Sequence, residues 1–303
     1  MKIKAVLIVV FLAVFSCFAL SQGAPIHIVV TALGPHGGDV PVLNREDVMV
    51  YEGHDRDTVT DWVPAQGEHA ALELFLLIDD ASSTSLGSQL DDLRQFVSSQ
   101  PPSTAVGIAY MQNGTAQVLQ NPTNDHAQAA TKLRLPLGQI TANASPYFSL
   151  SDLVKRWPQD NARHEVVMIT DGIDRFYGTG PADPYVDTAV EDAQRAGVIV
   201  FGIYAPGVGR DNASYWRFWW GQNYLSRVAD QTGGQSYYIG FTGAAVTFAP
   251  YLDDIARRLS HQYWLGFLAK PQKKAGMQRI RIRTEVPHVE LVAQDQVYVP
   301  ATQ

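Results

Sequence analysis

Cysteine is nearly absent: the only one in 303 residues is Cys17. A disulfide framework and thiol catalysis are therefore excluded from the rest of the chain. Charge is also sparse, at 17% of residues, against roughly 25% in ordinary globular domains. Lys and Arg number 23 and Asp and Glu 30, for a net charge of −7. A chain of this sign has no general attraction for a phosphate backbone, so no nucleic-acid partner is expected. The histidines (His27, His36, His54, His69, His126, His164, His261 and His288) show no His-x-x-x-His pair and no Cys/His spacing. Each reads as a surface or internally satisfied residue. Also missing are a Gly-x-Ser-x-Gly elbow, a phosphate-binding glycine loop and a Gly-x-Gly-x-x-Gly opening a helix, which removes the commonest nucleotide and serine-hydrolase chemistries.

Long apolar runs are missing too, with one exception at the start. Lys2 and Lys4 precede Ala5–Leu20, an apolar stretch that breaks at Ser21-Gln22-Gly23. This is the plan of a cleaved export signal over residues 1–23, and it is slightly short of the ~20 residues a span needs. Export to periplasm, cell surface or medium is expected, with no membrane insertion after cleavage. Val14-Phe15-Ser16 before Cys17 suits a lipidation site poorly, so Cys17 reads as a small apolar residue of the signal.

Three regions follow. Residues 24–66 form a small β domain, with Ile26–Val30 and Val48–Tyr51 as strands. Residues 72–260 alternate strands and helices: Leu74–Ile78 and Glu165–Thr170 are buried strands, Ser149–Trp157 and Asp187–Ala196 helices, and Asn113-Gly114 a hairpin turn. Tyr224–Gln231 reads as a helix and Gln235–Ile239 as a strand. The fold class is α/β, a mostly parallel sheet with helices on both faces. Residues 261–303 form a β extension in which Arg279, Arg281 and Arg283 alternate with Ile280 and Ile282, as on a half-exposed strand. Neither flanking β segment is long enough for a robust core of its own, so the two are candidates to pack together.

Two strands of the α/β region end in polar clusters, Asp79-Asp80-Ala81-Ser82-Ser83-Thr84-Ser85 and Thr170-Asp171-Gly172-Ile173-Asp174. Ligands of such sheets bind beyond the carboxyl ends of the strands. Carboxylates and hydroxyls gathered there suit a hard divalent cation, and the same residues also suit turns and helix caps. Residue types alone leave both open.

These clusters, followed by Ala196-Gly197-Val198-Ile199-Val200-Phe201-Gly202-Ile203, resemble the von Willebrand factor type A fold. Leu225–Gly234, Gln262–Phe267, Leu43–Val48 and Val50–Gly53 resemble more particularly a related family of Acidobacteria-type secreted proteins. The resemblance covers about residues 26–300. It implies a Rossmann-like fold and a metal-ion-dependent adhesion site, where an Asp-x-Ser-x-Ser loop, a Thr and an Asp bind Mg²⁺ and a partner's carboxylate completes the shell. Asp79, Ser83 and Asp171 match. Ala81 stands at the middle serine, and a register shifted by one restores the oxygens as Asp80-x-Ser82-x-Thr84. Phe148 stands where the Thr belongs, with Ser145, Ser149 and Ser151 nearby. The implied metal ligands are thus Asp79, Asp80, Ser82, Ser83 and Asp171.

The segment Tyr215-Trp216-Arg217-Phe218-Trp219-Trp220 follows another strand end. Trp216, Arg217, Trp219 and Trp220 are candidate partner contacts, since aromatics and Arg dominate interface hot spots; packing back onto the sheet is the competing reading. Together these features predict an exported, non-enzymatic module that binds a protein partner at the strand-end rim, with or without Mg²⁺. A metal-independent scaffold of the cell envelope is the alternative. A hydrolase using Asp79 with Asp80, or Asp171 with Asp174, is disfavoured, because adjacency in sequence does not make the facing pair that a mechanism needs.

Overall fold

The computed structural model describes residues 23–301, apart from 36–37, 39, 142, 159, 179, 209–213 and 239–245. The expected export signal with Cys17, the tip of the turn at 34–38 and the end of the expected strand at Ile239 lie outside the described residues. Among the described residues no helix is long and apolar enough to cross a membrane.

Strands β1 (Ala24–Leu33), β2 (Val48–Glu52) and β3 (Asp55–Pro64) open the chain. Then comes β4 (Leu72–Asp79), whose sequence Leu-Glu-Leu-Phe-Leu-Leu-Ile-Asp is buried at every position but Glu73. It is followed by α1 (Leu90–Ser98), the hairpin β5 (Thr104–Gln112) and β6 (Thr115–Thr123), α2 (His126–Ala130) and α3 (Pro146–Arg156). After β7 (Arg163–Thr170) come α4 (Pro184–Ala196), β8 (Val198–Tyr204), α5 (Tyr215–Thr232), β9 (Ser236–Tyr237) and α6 (Ala249–Ser260). The chain closes with β10 (Gln262–Ala269), β11 (Gly276–Thr284), β12 (Glu290–Val292) and β13 (Gln296–Val299).

The α/β region is one sheet in the order β6-β5-β4-β7-β8-β9, parallel except for the edge strand β6. This is the doubly wound order, with β4 at the centre and the reversal between β4 and β7. A mostly parallel sheet with helices on both faces is the fold class expected from the sequence. Alternate residues of each strand feed opposite cores. Leu74, Leu76 and Ile78 with Val167 and Ile169 pack under α1 and α6 through Leu93, Phe96 and Ile255. Phe75 and Leu77 with Val166 and Met168 pack under α3, α4 and α5 through Leu150, Val190 and Val228.

Three helices begin earlier than hydrophobic spacing suggests, α4 at Pro184 behind its Asp183 cap and two others for similarly local reasons. Helix α3 starts at Pro146 because the Ser145 hydroxyl caps the Phe148 amide and proline suits the first helical turn. Helix α5 starts at Tyr215, capped by Ser214, so the aromatic segment is its first turns. Helix α2 is little more than one turn, His126–Ala130, opened by the Asp125 side chain, which accepts from the Gln128 amide.

The flanking β segments form a second, antiparallel sheet, β12-β1-β10-β3-β2-β11-β13. Its own core gathers Val30, Val50, Leu265, Phe267, Ile280 and Val297. Trp62 and Tyr263 stack at 4.4 Å between neighbouring strands. On β11 the arginines 279, 281 and 283 are exposed while Ile280 is buried. Val29 and Trp264 reach into the α1/α6 core, and Gln262 receives a hydrogen bond from Arg163 of β7, which ties the two sheets together.

Candidate functional site

The sheet has a carboxyl rim and an amino edge, and polar side chains gather at both. At the rim, chains leaving β4 and β7 turn to opposite faces, which opens the crevice where ligands of doubly wound folds bind.

Asp79, the last residue of β4, is buried. Its Oδ2 accepts from the Thr170 hydroxyl at 2.7 Å and its Oδ1 from the Ala81 amide at 2.9 Å. Burial, and next the negative charge of Asp171, push its carboxyl up to about 6, against the opposing pull of Arg175. Asp80 has a separate partner. The Arg134 guanidinium grips it in a two-point ion pair at 2.6 and 2.8 Å, while lying 3.9 Å over the Tyr110 ring.

Asp171 is 1% exposed and is held by Arg175 at 2.5 and 3.2 Å, with the Ile173 amide at 3.0 Å. The side chains of that pair are only 4% and 1% exposed. Gly207 closes over it, since a Cβ there would stand 2.2 Å from Asp171 Oδ2. Gly172 is needed for a second close approach. Its φ is +70°, and a Cβ would lie 2.2 Å from the Gly221 carbonyl on α5. Asp174 accepts from the Ser145 hydroxyl and from the Phe176 and Tyr177 amides at 2.8, 2.8 and 2.9 Å.

The sequence-predicted metal ligands therefore divide. Asp79, Asp80 and Asp171 all sit at the rim, but the last two are turned onto arginines. Ser83 caps the short turn after it, accepting from the Ser85 amide at 3.2 Å, and the buried Ser82 hydroxyl has no hydrogen-bond partner. Of the hydroxyls near Phe148, that of Ser145 donates to Asp174 and that of Ser149 to the Ser145 carbonyl. Phe148 itself packs in an aromatic group with Phe176 at 5.0 Å and Tyr185 at 4.4 Å. A cavity of about 20 Å³ lies beside Asp79, Thr141, Ser145 and Ser149, and Asp171 is not among its lining residues. That is room for about one water.

A divalent cation does not fit this arrangement. The two carboxylates that would carry it are already neutralised by guanidinium groups, and Gly207 covers one of them. Asp79, Asp80, Asp171 and Asp174 each have their own hydrogen-bond partners.

The aromatics flank this rim. Trp216 and Trp219 are 55% and 42% exposed, while Phe218 is buried. Trp220 is half-buried and packs on Trp219 at 4.7 Å and Tyr224 at 5.8 Å. Arg217 is exposed. The segment is thus divided: one side of the helix packs back and the other faces solvent. Phe176 and Tyr177, 47% and 54% exposed, extend the aromatic surface on the loop after β7.

The amino edge holds a cluster that sequence spacing did not single out. Glu73 of β4 and His164 of β7 are ladder partners, and their side chains share a face. His164 Nε2 lies 3.1 Å from Asp160 Oδ1 and 3.8 Å from Glu73 Oε2. The three ligand atoms fall within 4.8 Å of one another, a set able to hold a metal ion. Trp157 donates its indole N–H to Glu73 at 2.5 Å and stacks on the His164 ring at 4.7 Å. On the other face of β7, Glu165 is wholly buried, with neither oxygen hydrogen-bonded. Burial pushes its carboxyl up to about 7, only partly opposed by Arg163.

No protein-family model matches the chain. No curated protein matches it. Solved structures do resemble it at low identity. An aerotolerance-related membrane protein from Bacteroides fragilis shares 14% identity over 62% of this chain and 98% of its own, with a TM-score of 0.45. A von Willebrand factor type A protein from Catenulispora acidiphila shares 10% over 94% of this chain and 76% of its own, at 0.44. The manganese-loaded TRAP protein of Plasmodium vivax shares 11% over 82% and 98%, at 0.43.

Proposed function

We propose that this protein is an exported, non-enzymatic protein-binding module. Its carboxyl rim meets a protein partner through aromatic side chains and uses no bound cation. The observation that carries this reading is the joint state of the rim. Asp80 and Asp171 are neutralised by Arg134 and Arg175, while Trp216 and Trp219 stand exposed beside them. In an adhesion site of the metal-dependent kind, the cation offers a coordination position to a partner's carboxylate. Here internal guanidinium groups supply the positive charge, and the contact energy falls to tryptophan, the residue type richest in interface hot spots. Exposed apolar surface of this kind marks interaction sites.

The test is partner capture from the native host with wild-type chain and with Trp216→Ala/Trp219→Ala, each with and without EDTA. A partner held equally in EDTA and lost in the double variant supports the reading. A partner released by EDTA, or one indifferent to both tryptophans, refutes it.

A further inference from the structure

We propose that the amino edge of the parallel sheet is a binding site for a zinc-class divalent cation, held by Glu73, Asp160 and His164. The site stands apart from the rim, because six strand residues at about 3.3 Å each place Glu73 roughly 20 Å from Asp79.

The geometry comes first. Zinc bonds of about 2.0–2.2 Å to nitrogen and oxygen put tetrahedral ligands about 3.3 Å apart. The His164–Asp160 and His164–Glu73 separations of 3.1 and 3.8 Å straddle that value, so a small turn of either carboxylate admits the ion. The supports are in place as well. The parallel register of β4 and β7 fixes Glu73 beside His164. The His164 side chain is 3% exposed, and Trp157 orients both residues through one hydrogen bond and one stack. Such outer contacts are what hold metal ligands in position.

Charge supplies an independent observation. Two carboxylates converge here on one imidazole, and among the described residues neither has a Lys or Arg within 4.0 Å. The nearby cations are engaged elsewhere: Lys155 with Asp192, Arg156 with Asp152, and Arg163 with the Leu259 and Ala70 carbonyls. The cluster thus carries surplus negative charge that the protein does not neutralise, the reverse of the rim. One imidazole with two carboxylates suits zinc or its neighbours over magnesium, which prefers oxygen alone and keeps its waters. Asp160 is exposed, and a groove lined by Glu73, Phe75, Leu153, Arg156, Trp157 and Asp160 opens onto the two carboxylates of the cluster. Three protein ligands leave the fourth position to water.

The experiment is calorimetric titration of the EDTA-treated, dialysed full chain with Zn²⁺ at pH 7.5, repeated with Mg²⁺. Asp160→Asn and His164→Gln are titrated alongside, with folding checked by circular dichroism. Binding of one Zn²⁺, at least a hundredfold tighter than Mg²⁺, is expected. Asp160→Asn changes only an exposed side chain, and it should keep the fold and weaken Zn²⁺ at least tenfold. Absence of saturable Zn²⁺ uptake by the wild type overturns the proposal. So does uptake that Asp160→Asn leaves unchanged, or Mg²⁺ binding as tightly as Zn²⁺.

Discussion

The two ends of one sheet treat their acids in opposite ways. At the carboxyl rim, Asp80 and Asp171 face Arg134 and Arg175, and burial raises the affinity of Asp79 for its proton. At the amino edge, among the described residues, Glu73 and Asp160 have no basic partner but His164, and the buried Glu165 has Arg163 only at 4.0 Å. At the rim this chain supplies the positive charge from within. Unbalanced charge has moved to the opposite end. Location in a fold therefore says less about metal chemistry than the partners of each carboxylate do.

The comparison breaks most sharply at Arg175. Arg175→Met leaves Asp171 buried and unpaired, and removing one member of a buried pair costs about 3–5 kcal/mol. A urea-denaturation midpoint reads this. A variant as stable as wild type would mean that the rim does not depend on its internal cation.

Glu165 sharpens the other end. Its folded carboxyl is raised to about 7, so the folded chain keeps a proton that the unfolded chain loses near 4.5. The contribution of Glu165 to stability is then greatest at low pH and falls as pH rises from about 4.5 through about 7. Asp79 adds a slope of the same sign between 3.8 and about 6. Glu165→Gln should remove the upper part of this slope and gain up to about 3 kcal/mol at pH 8, one pKa unit being worth about 1.4 kcal/mol. Melting temperatures across pH 4–8 decide it, and an unchanged slope counts against a neutral Glu165.

A smaller effect is expected at Gly207. Gly207→Ala drives a methyl group into Asp171, and overpacking of this kind costs about 1–3 kcal/mol. Equal denaturation midpoints for variant and wild type would show that the rim is open above Asp171. Smallest is Trp216→Ala, which removes an exposed ring and should shift stability by under about 0.5 kcal/mol. A larger loss in the same assay would make the exposed aromatic face structural.

Much of the fold could be read from the chain. The buried run Leu74–Ile78, the Asn113-Gly114 turn and the alternation of Arg279–Arg283 each state their environment through residue type and period. The site was half legible. Position at the strand ends identified Asp79, Asp80 and Asp171, but not where their carboxylates point. Arg175 carried a signal, because it lies four residues beyond Asp171 and the two are joined across one turn. Arg134 carried none, since 54 residues separate it from Asp80. Glu73 and His164 meet only through the register of two strands distant in sequence. A scattered histidine therefore reads as bland until the sheet is assembled.

The most direct test of a self-neutralised rim is Mg²⁺ titration calorimetry on residues 24–303 at pH 7.5, with Asp171→Ala as the comparison. A trace with no saturable heat is predicted for both proteins. One Mg²⁺ bound by the wild type and lost in Asp171→Ala would contradict the claim, since the aspartate would then prefer a metal to Arg175.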